Sequence, residues 1–249
     1  MSPAVRAAQR RLRRTLSKAR DAVVGRAVEP TIETIARFDH RWPVFSSAVE
    51  FVTTEEIAGD IVECGVFTGM SLALFSYAHQ RREPATPRRI VGFDAFEGLP
   101  PSADEHPMWK TGSLGVNAWD HPLLAIGERV TPDATRRLFA LCGLPEPRIE
   151  VGWFADTLRA TVPATYLRIA VLHVDCDLYE STRDVLDGVR PALQDGTVVL
   201  FDDWFLFKGN PSKGESRAFG EFLAAHDEWD AVPYRTYGTC GRAFILSHR

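Results

Sequence analysis

Two short stretches concentrate carboxylates where the chain leaves an apolar run. His173-Val-Asp175-Cys-Asp177-Leu-Tyr179-Glu180-Ser181-Thr182 closes the run at 168–175, and Leu200-Phe201-Asp202-Asp203-Trp204 closes the run at 196–201. On adjacent parallel strands, Asp175, Asp177, Asp202 and Asp203 would meet at one edge of a sheet. Like charges a few ångströms apart must either raise a pKa strongly or share a cation. Oxygen-only donors without His or Cys select a hard divalent ion, Mg²⁺ before Ca²⁺, with Mn²⁺ open. In a continuous strand Asp175 and Asp177 point the same way, so that one ligates while the other faces a substrate. The competing account is helix capping and ion pairing, for which a double Asp flanked by aromatics is a wasteful design.

A second constellation is Glu63-Cys-Gly65-Val66-Phe-Thr-Gly69-Met-Ser71, a strand that ends in two glycines and opens a helix. Glycine lets the backbone approach a ligand closely, and a helix N-terminus presents free N–H groups. The spacing is E-x-G-x-x-x-G, not the G-x-G-x-x-G fingerprint, which disfavours NAD. Val91-Gly92-Phe93-Asp94 ends the next run, and an acid there suits the two hydroxyls of a ribose. Either feature alone has a plain explanation, a tight turn or an N-cap. In this order and spacing they favour a nucleoside-containing cofactor, with Val66 and Ser71 counted among its contacts.

The elements that must position these groups follow from periodicity. Runs at 60–65, 89–94, 148–151, 168–175 and 196–201 read as buried parallel strands, and 70–80 and 180–193 as helices between them. Alternating strand and helix predicts an open, doubly wound α/β fold. A last run at 242–247 is expected to add an edge strand. The stretch at about 101–147 is too long for a plain crossover and is expected to cover the substrate. Lys213-Gly214-Glu215 is placed as the other wall of the cleft, and Ser181 and Thr182 as helix-capping residues. Residues 31–249 are taken as one domain, preceded by an arm at 1–30.

Composition excludes several classes. The 249 residues carry 45% hydrophobic and 25% charged side chains and a net charge of −4, which is ordinary for a globular protein and neither disordered nor a general nucleic-acid binder. No run is long and apolar enough for a membrane span, and no signal-peptide core stands at the start. The charge is uneven. Residues 1–26 hold eight basic side chains and a single acid, Asp21, a net +7, leaving −11 on the rest. Residues 4–24 read as an amphipathic helix with Leu12, Leu16, Ala19 and Val23 on one face, which suits packing on the body or on a second copy in a homo-oligomer. Cys64, Cys142, Cys176 and Cys240 show no CxxC pairing, so reduced thiols and a cytoplasmic location are expected.

The stretches ECGVFTG, GFDAFEGLP, GWFADTL, HVDCDLYEST and VLFDDW, taken together, resemble the macrocin O-methyltransferase family across roughly residues 55–225. The resemblance implies a Rossmann-like class I methyltransferase fold, a mostly parallel seven-stranded sheet with an antiparallel edge strand. It implies S-adenosyl-L-methionine and Mg²⁺ as cofactors and a sugar hydroxyl of a small molecule as acceptor, in antibiotic biosynthesis or on a surface glycan. By the same resemblance, Glu63, Gly65 and Gly69 fall on the cofactor's glycine loop, Asp94 on the ribose acid, and Gly152, Trp153 and Phe154 beside the adenine. Asp175, Asp202 and Asp203 fall on the metal ligands, Asp175 also counting as a cofactor contact, and Asp177 falls on the general base. His106, His121 and His173 are alternative bases, and Trp109, Trp119, Trp153 and Trp204 are candidate stacking surfaces. One rival class remains: Asp175-Cys-Asp177 also reads as the DxD of a metal-dependent glycosyltransferase using a nucleotide-sugar.

Overall fold

The computed structural model describes residues 31–249 apart from 83, 84, 86, 105, 120, 166 and 167, and without the side chains of 163–165. The basic arm and its expected amphipathic helix lie outside the described residues. The elements in chain order are α1 (Ile32–Phe38), α2 (Trp42–Thr54), β1 (Asp60–Cys64), α3 (Met70–Arg82), β2 (Ile90–Asp94), α4 (Pro132–Leu141), β3 (Arg148–Val151) and α5 (Phe154–Thr165). Then follow β4 (Ile169–Val174), α6 (Tyr179–Val189), β5 (Val198–Phe201), α7 (Gly214–Ala225), β6 (Trp229–Tyr237) and β7 (Gly241–His248).

The seven strands form one sheet in the order β3-β2-β1-β4-β5-β7-β6, parallel from β3 to β5 and antiparallel at β7 and β6. This is the expected doubly wound sheet. The order reverses between β1 and β4, which makes a crevice at their carboxyl ends.

Side-chain alternation along the central strands builds two cores. Ile61, Val171 and Leu200 face one layer with Phe45 of α2 and Phe75 of α3, whose rings stack at 4.2 Å. Val62, Leu172 and Phe201 face the other with Leu158 of α5, Leu186 of α6 and Phe219 of α7. Helix α3 is buried almost all round, the pattern of a helix inside a core rather than on a surface.

Three details differ from the sequence reading. Strand β3 is partly exposed because it is the sheet's outer parallel strand, not a buried one. The run near 242–247 belongs to β7, which lies inside the sheet between β5 and β6. The edge is β6, whose Pro233 lacks a ladder donor and is tolerated where a strand has a free side. Helix α6 also ends at Val189, followed by a 3₁₀ turn at Arg190–Ala192, because Pro191 cannot donate to an α-helical ladder. Among the described residues no helix is long and apolar enough to cross a membrane.

Candidate active site

Register brings the chemistry-bearing residues into one row. Cys64 is paired with Phe93 on one side and Val174 on the other, and Val174 with Phe201. The next residue of each chain segment therefore lies at the same level, at the sheet's carboxyl edge: Gly65, Asp94 (the last residue of β2), Asp175 and Asp202. Backbone bonds hold the row, from Gly65 N–H to Phe93 O at 2.9 Å, Asp175 N–H to Cys64 O at 2.9 Å and Asp202 N–H to Val174 O at 3.1 Å.

On the β1–β2 side the turn is built for close approach. Gly65 has φ +99°, and a Cβ there would collide with the Asp175 carbonyl oxygen, so only glycine fits. Gly69, at φ +85°, lets Thr135 of α4 lie against the backbone. The Asp94 carboxylate accepts Phe67 N–H at 2.8 Å and Phe96 N–H at 2.6 Å, which fixes the two turns around it. Burial pushes the Asp94 pKa up against the pull of these backbone donors. Each oxygen keeps a further lone pair for a ligand hydroxyl. Gly152 N–H bonds to Asp94 O at 3.0 Å, and the adjacent Trp153 is 40% exposed, an aromatic face open beside Asp94.

Glu63 sits elsewhere than the motif suggests. It is fully buried, and its Oε1 lies 2.8 Å from His173 Nδ1. The carboxylate faces the sheet interior, not the crevice. Burial opposes a charge on His173, but Asp202, Glu63 and Asp175 outweigh it and push its pKa up to about 10. Glu63, His173 and Asp175 each offer an atom within 4.8 Å of the others, yet a protonated imidazole has no lone pair for a metal. His173 Nε2 faces Asp202 Oδ1 at 3.7 Å. These surroundings favour the charged form of His173, which stands between Glu63 and Asp202.

The acidic side gathers Asp175, Asp177, Asp202 and Asp203 as expected, and adds Glu215. Strand β4 ends at Val174, and Asp177 turns out of it with φ +64°, so the expected strand alternation of Asp175 and Asp177 does not hold. Asp177 instead lies beside Asp203, and each carboxyl acts on the other's pKa. A left-handed non-glycine residue at a cluster of acids is the kind of local strain found at functional sites. Glu215 Oε2 accepts Asp203 N–H at 2.9 Å, while its Oε1 is buried without a partner, as is the Tyr237 hydroxyl. Burial and the neighbouring Asp202 raise Asp175 to about 7, and burial, with the charges of Asp175, Glu215 and Asp202, raises Asp177 to about 8. Asp203 and Glu215 are also raised by burial and by neighbouring acids. Asp202 alone is held low: burial raises it, but His173 and Arg41 outweigh that.

The donor set fits a hard divalent cation. It is all oxygen, its acids other than Asp202 are pushed towards protonation, and a cation already stands beside it: Arg41 Nη1, 3.6 Å from Asp175 and 3.8 Å from Asp202. Sequence reading missed Arg41 and Tyr237, and no motif or periodicity marks either.

The long insertion is tied to both halves of the row. Ser102 Oγ donates to Glu180 at 2.7 Å and Ala103 N–H donates to it at 3.0 Å. Gly214 N–H donates to Asp104 at 3.2 Å, and Lys213 pairs with Asp104 at 3.3 Å. These contacts pin it to the starts of α6 and α7. Trp119 meets the Phe67 ring edge-on at 5.4 Å on the glycine-loop side. The expected cover thus spans residues 95–131, and α4 supplies the crossover within 101–147. His106 Nδ1 accepts Met108 N–H, and His121 Nδ1 accepts Leu123 N–H and Leu124 N–H. Burial lowers both pKa values, and with Nδ1 accepting, each neutral ring carries its proton on Nε2; that of His121 is buried without a partner. Thr182 does not cap α6; its Oγ1 donates to Leu178 O at 2.8 Å. Trp109 packs with His106 at 6.1 Å, and Trp204 with Phe244 at 4.8 Å, as wall and core residues.

Residues 9–226 match the family model described as Macrocin-O-methyltransferase (TylF). The chain belongs to that family. Among curated members of similar sequence, an 8-demethyl-8-(2,3-dimethoxy-alpha-L-rhamnosyl)-tetracenomycin-C 4'-O-methyltransferase of Streptomyces olivaceus is 36% identical over 159 residues, 63% of this chain and 57% of the relative. A demethyldecarbamoylnovobiocin O-methyltransferase of Streptomyces niveus is 32% identical over 167 residues, 64% of this chain and 57% of the relative. The chain therefore spans less than two thirds of the length of these curated relatives. The solved O-methyltransferase NovP superposes with a TM-score of 0.65 at 27% identity, covering 84% of this chain and 80% of that one. The macrocin O-methyltransferase likeness of the five motifs is borne out, and with it the class I methyltransferase fold.

Proposed function

We propose that this protein transfers a methyl group from S-adenosyl-L-methionine to a hydroxyl on the sugar of a small glycosylated molecule, with Mg²⁺ required. The observation that carries the reading is the single row formed by Gly65 and Asp94 on one side and Asp175 and Asp202 on the other. A nucleoside cofactor and a metal-held acceptor belong side by side in an in-line transfer. One of the curated relatives named above acts, by its name, on a rhamnosyl-bearing tetracenomycin.

The backbone of Gly65, Val66, Gly69 and Ser71 receives the cofactor's amino-acid end, Asp94 takes the ribose hydroxyls and Trp153 lies against the adenine. Glu63 acts here through His173 rather than by contact. Asp175, Asp202 and Asp203 would hold the metal. When bound, it lowers the pKa of the acceptor hydroxyl and fixes its orientation. Asp177, beside Asp203, removes the hydroxyl proton, a contribution of about 10²–10⁴-fold for a positioned base. The insertion at 95–131 excludes water and shapes the acceptor pocket. All four cysteines are free thiols, as expected of a cytoplasmic enzyme.

The test is a screen of sugar acceptors with labelled S-adenosyl-L-methionine and Mg²⁺, with and without chelator. S-adenosylhomocysteine should raise the melting temperature and UDP-sugars should not. The reverse pattern would restore the nucleotide-sugar DxD reading of Asp175-Cys-Asp177.

A further inference from the structure

Arg41 is the cation beside the acidic cluster for which the proposed chemistry has no use. It precedes α2 and lies outside the five motifs, yet it is built in. Its backbone N–H and Nε bond to Asp39 Oδ1 at 2.8 and 3.2 Å, and its Nη2 bonds to Asp39 Oδ2 at 3.1 Å. The guanidinium carbon lies 5.6 Å from the centre of the Phe45 ring. With that fork satisfied, Nη1 is left facing Asp175 and Asp202 together. Its distances to them, 3.6 and 3.8 Å, are longer than hydrogen bonds. The contact sets one positive charge beside both acids without closing over them.

We propose that Arg41 is a positioning residue that serves as a resident counter-cation: it balances Asp175 and Asp202 while no metal is bound, and its fixed charge weakens the site's hold on a divalent ion. The inference rests on the reading of these two acids as metal ligands. The sign follows from the fold. The two acids are set side by side by the β4–β5 register and the Asp202 N–H bond to Val174 O, not by Arg41, so deleting the guanidinium removes repulsion towards the ion without dispersing its ligands. Clamped by Asp39, the guanidinium cannot swing away when the ion arrives. Moderate affinity lets the ion and product exchange at each turnover.

The experiment compares full-length wild type with Arg41→Met, Arg41→Gln and Arg41→Lys. MgCl₂ is titrated calorimetrically, and melting is followed in chelator and in saturating Mg²⁺. Arg41→Met and Arg41→Gln should bind Mg²⁺ about tenfold tighter, equivalent to ~1.4 kcal/mol. They should melt below wild type in chelator and recover in Mg²⁺. Arg41→Lys, which keeps the charge, should stay within about threefold of wild-type affinity. Unchanged or weaker Mg²⁺ binding by the neutral variants, or a melting deficit that Mg²⁺ does not recover, overturns the proposal. Should Arg41→Met fail to fold even in Mg²⁺, Arg41→Gln, which keeps a donor for Asp39, decides. Wild type that binds no Mg²⁺ refutes the metal reading and this inference together. Wild type that binds it no more weakly than the neutral variants refutes this inference alone.

Discussion

Replacing Glu63 with Gln separates two roles that its motif position leaves entangled, cofactor contact and support of a buried cation. The side chain is fully buried against His173, so the second role predicts a loss of stability. A histidine raised from 6.5 to about 10 stabilises the fold by a ceiling of ~5 kcal/mol, at ~1.4 kcal/mol per tenfold. Glu63 shares that support with Asp202 and Asp175, and Gln keeps an acceptor without the charge. About 2–3 kcal/mol should therefore be lost, or roughly 5–10 °C in melting temperature for a chain of this size. The raised histidine adds stability that is complete below about pH 6.5 and disappears as pH climbs through about 10. The deficit of Glu63→Gln, measured by urea unfolding, should thus be largest at pH 6–7 and close by about pH 10. Other histidines titrate equally in both proteins and cancel. A variant with wild-type stability at pH 6.5 but weakened S-adenosylhomocysteine binding would refute the buried-cation argument and return Glu63 to direct cofactor contact.

Gly65→Ala must place a methyl on the Asp175 carbonyl at a positive φ; it should cost ~3 kcal/mol or more, read as a fall in melting temperature or insolubility. Asp202→Asn should abolish Mg²⁺-dependent turnover and the Mg²⁺-induced melting shift, while S-adenosylhomocysteine stabilises it as it does wild type. Asp177→Asn should lower kcat by about 10²–10⁴-fold with cofactor affinity unchanged in the same melting assay. Mg²⁺ affinity should rise with pH through 7 and 8 and level off only above about pH 9, because Asp175 at about 7 and Asp177 at about 8 hold protons that the ion must displace; calorimetry in buffers of different ionisation enthalpy reads the protons released, and a pH-independent affinity would contradict the assignment.

The chemistry was legible where it coincides with strand ends. The runs ending at Cys64, Asp94, Val174 and Phe201 have the apolar continuity of buried parallel strands, and register then sets Gly65, Asp94, Asp175 and Asp202 in a row. What depends on long-range packing was not. Arg41 reaches Asp175 only because α2 lies over β4, and its fork to Asp39 is a local turn with no motif. Strand β6, Trp229–Tyr237, carries Pro233 and faces solvent along much of its length, so it lacks the apolar signal of its neighbours. The left-handed turn at Asp177 breaks the alternation that the sequence suggests. The fully buried Glu63 shows the opposite limit: its place at the strand end was legible, but the direction of its side chain depends on His173, which the β1–β4 register sets directly across from it and which motif spacing does not encode.

The charge of the crevice bears on how the parts of the proposed site would act together. Glu63, Asp175, Asp177, Asp202, Asp203 and Glu215 are opposed among the described residues by His173 and Arg41. His173 is committed to Glu63 and Asp202, and Arg41 to Asp39, Asp175 and Asp202, so Asp177, Asp203 and Glu215 have no cation of their own and are pushed towards protonation. A protonated Asp177 cannot act as a base. On the proposed reading it would gain that capacity when positive charge arrives beside the neighbouring Asp203. The excess of negative charge suits the divalent ion and sulfonium cofactor proposed above together, and on that proposal proton removal by Asp177 would follow the same event that orients the acceptor hydroxyl. An acceptor entering before the metal would meet a site whose base is still protonated.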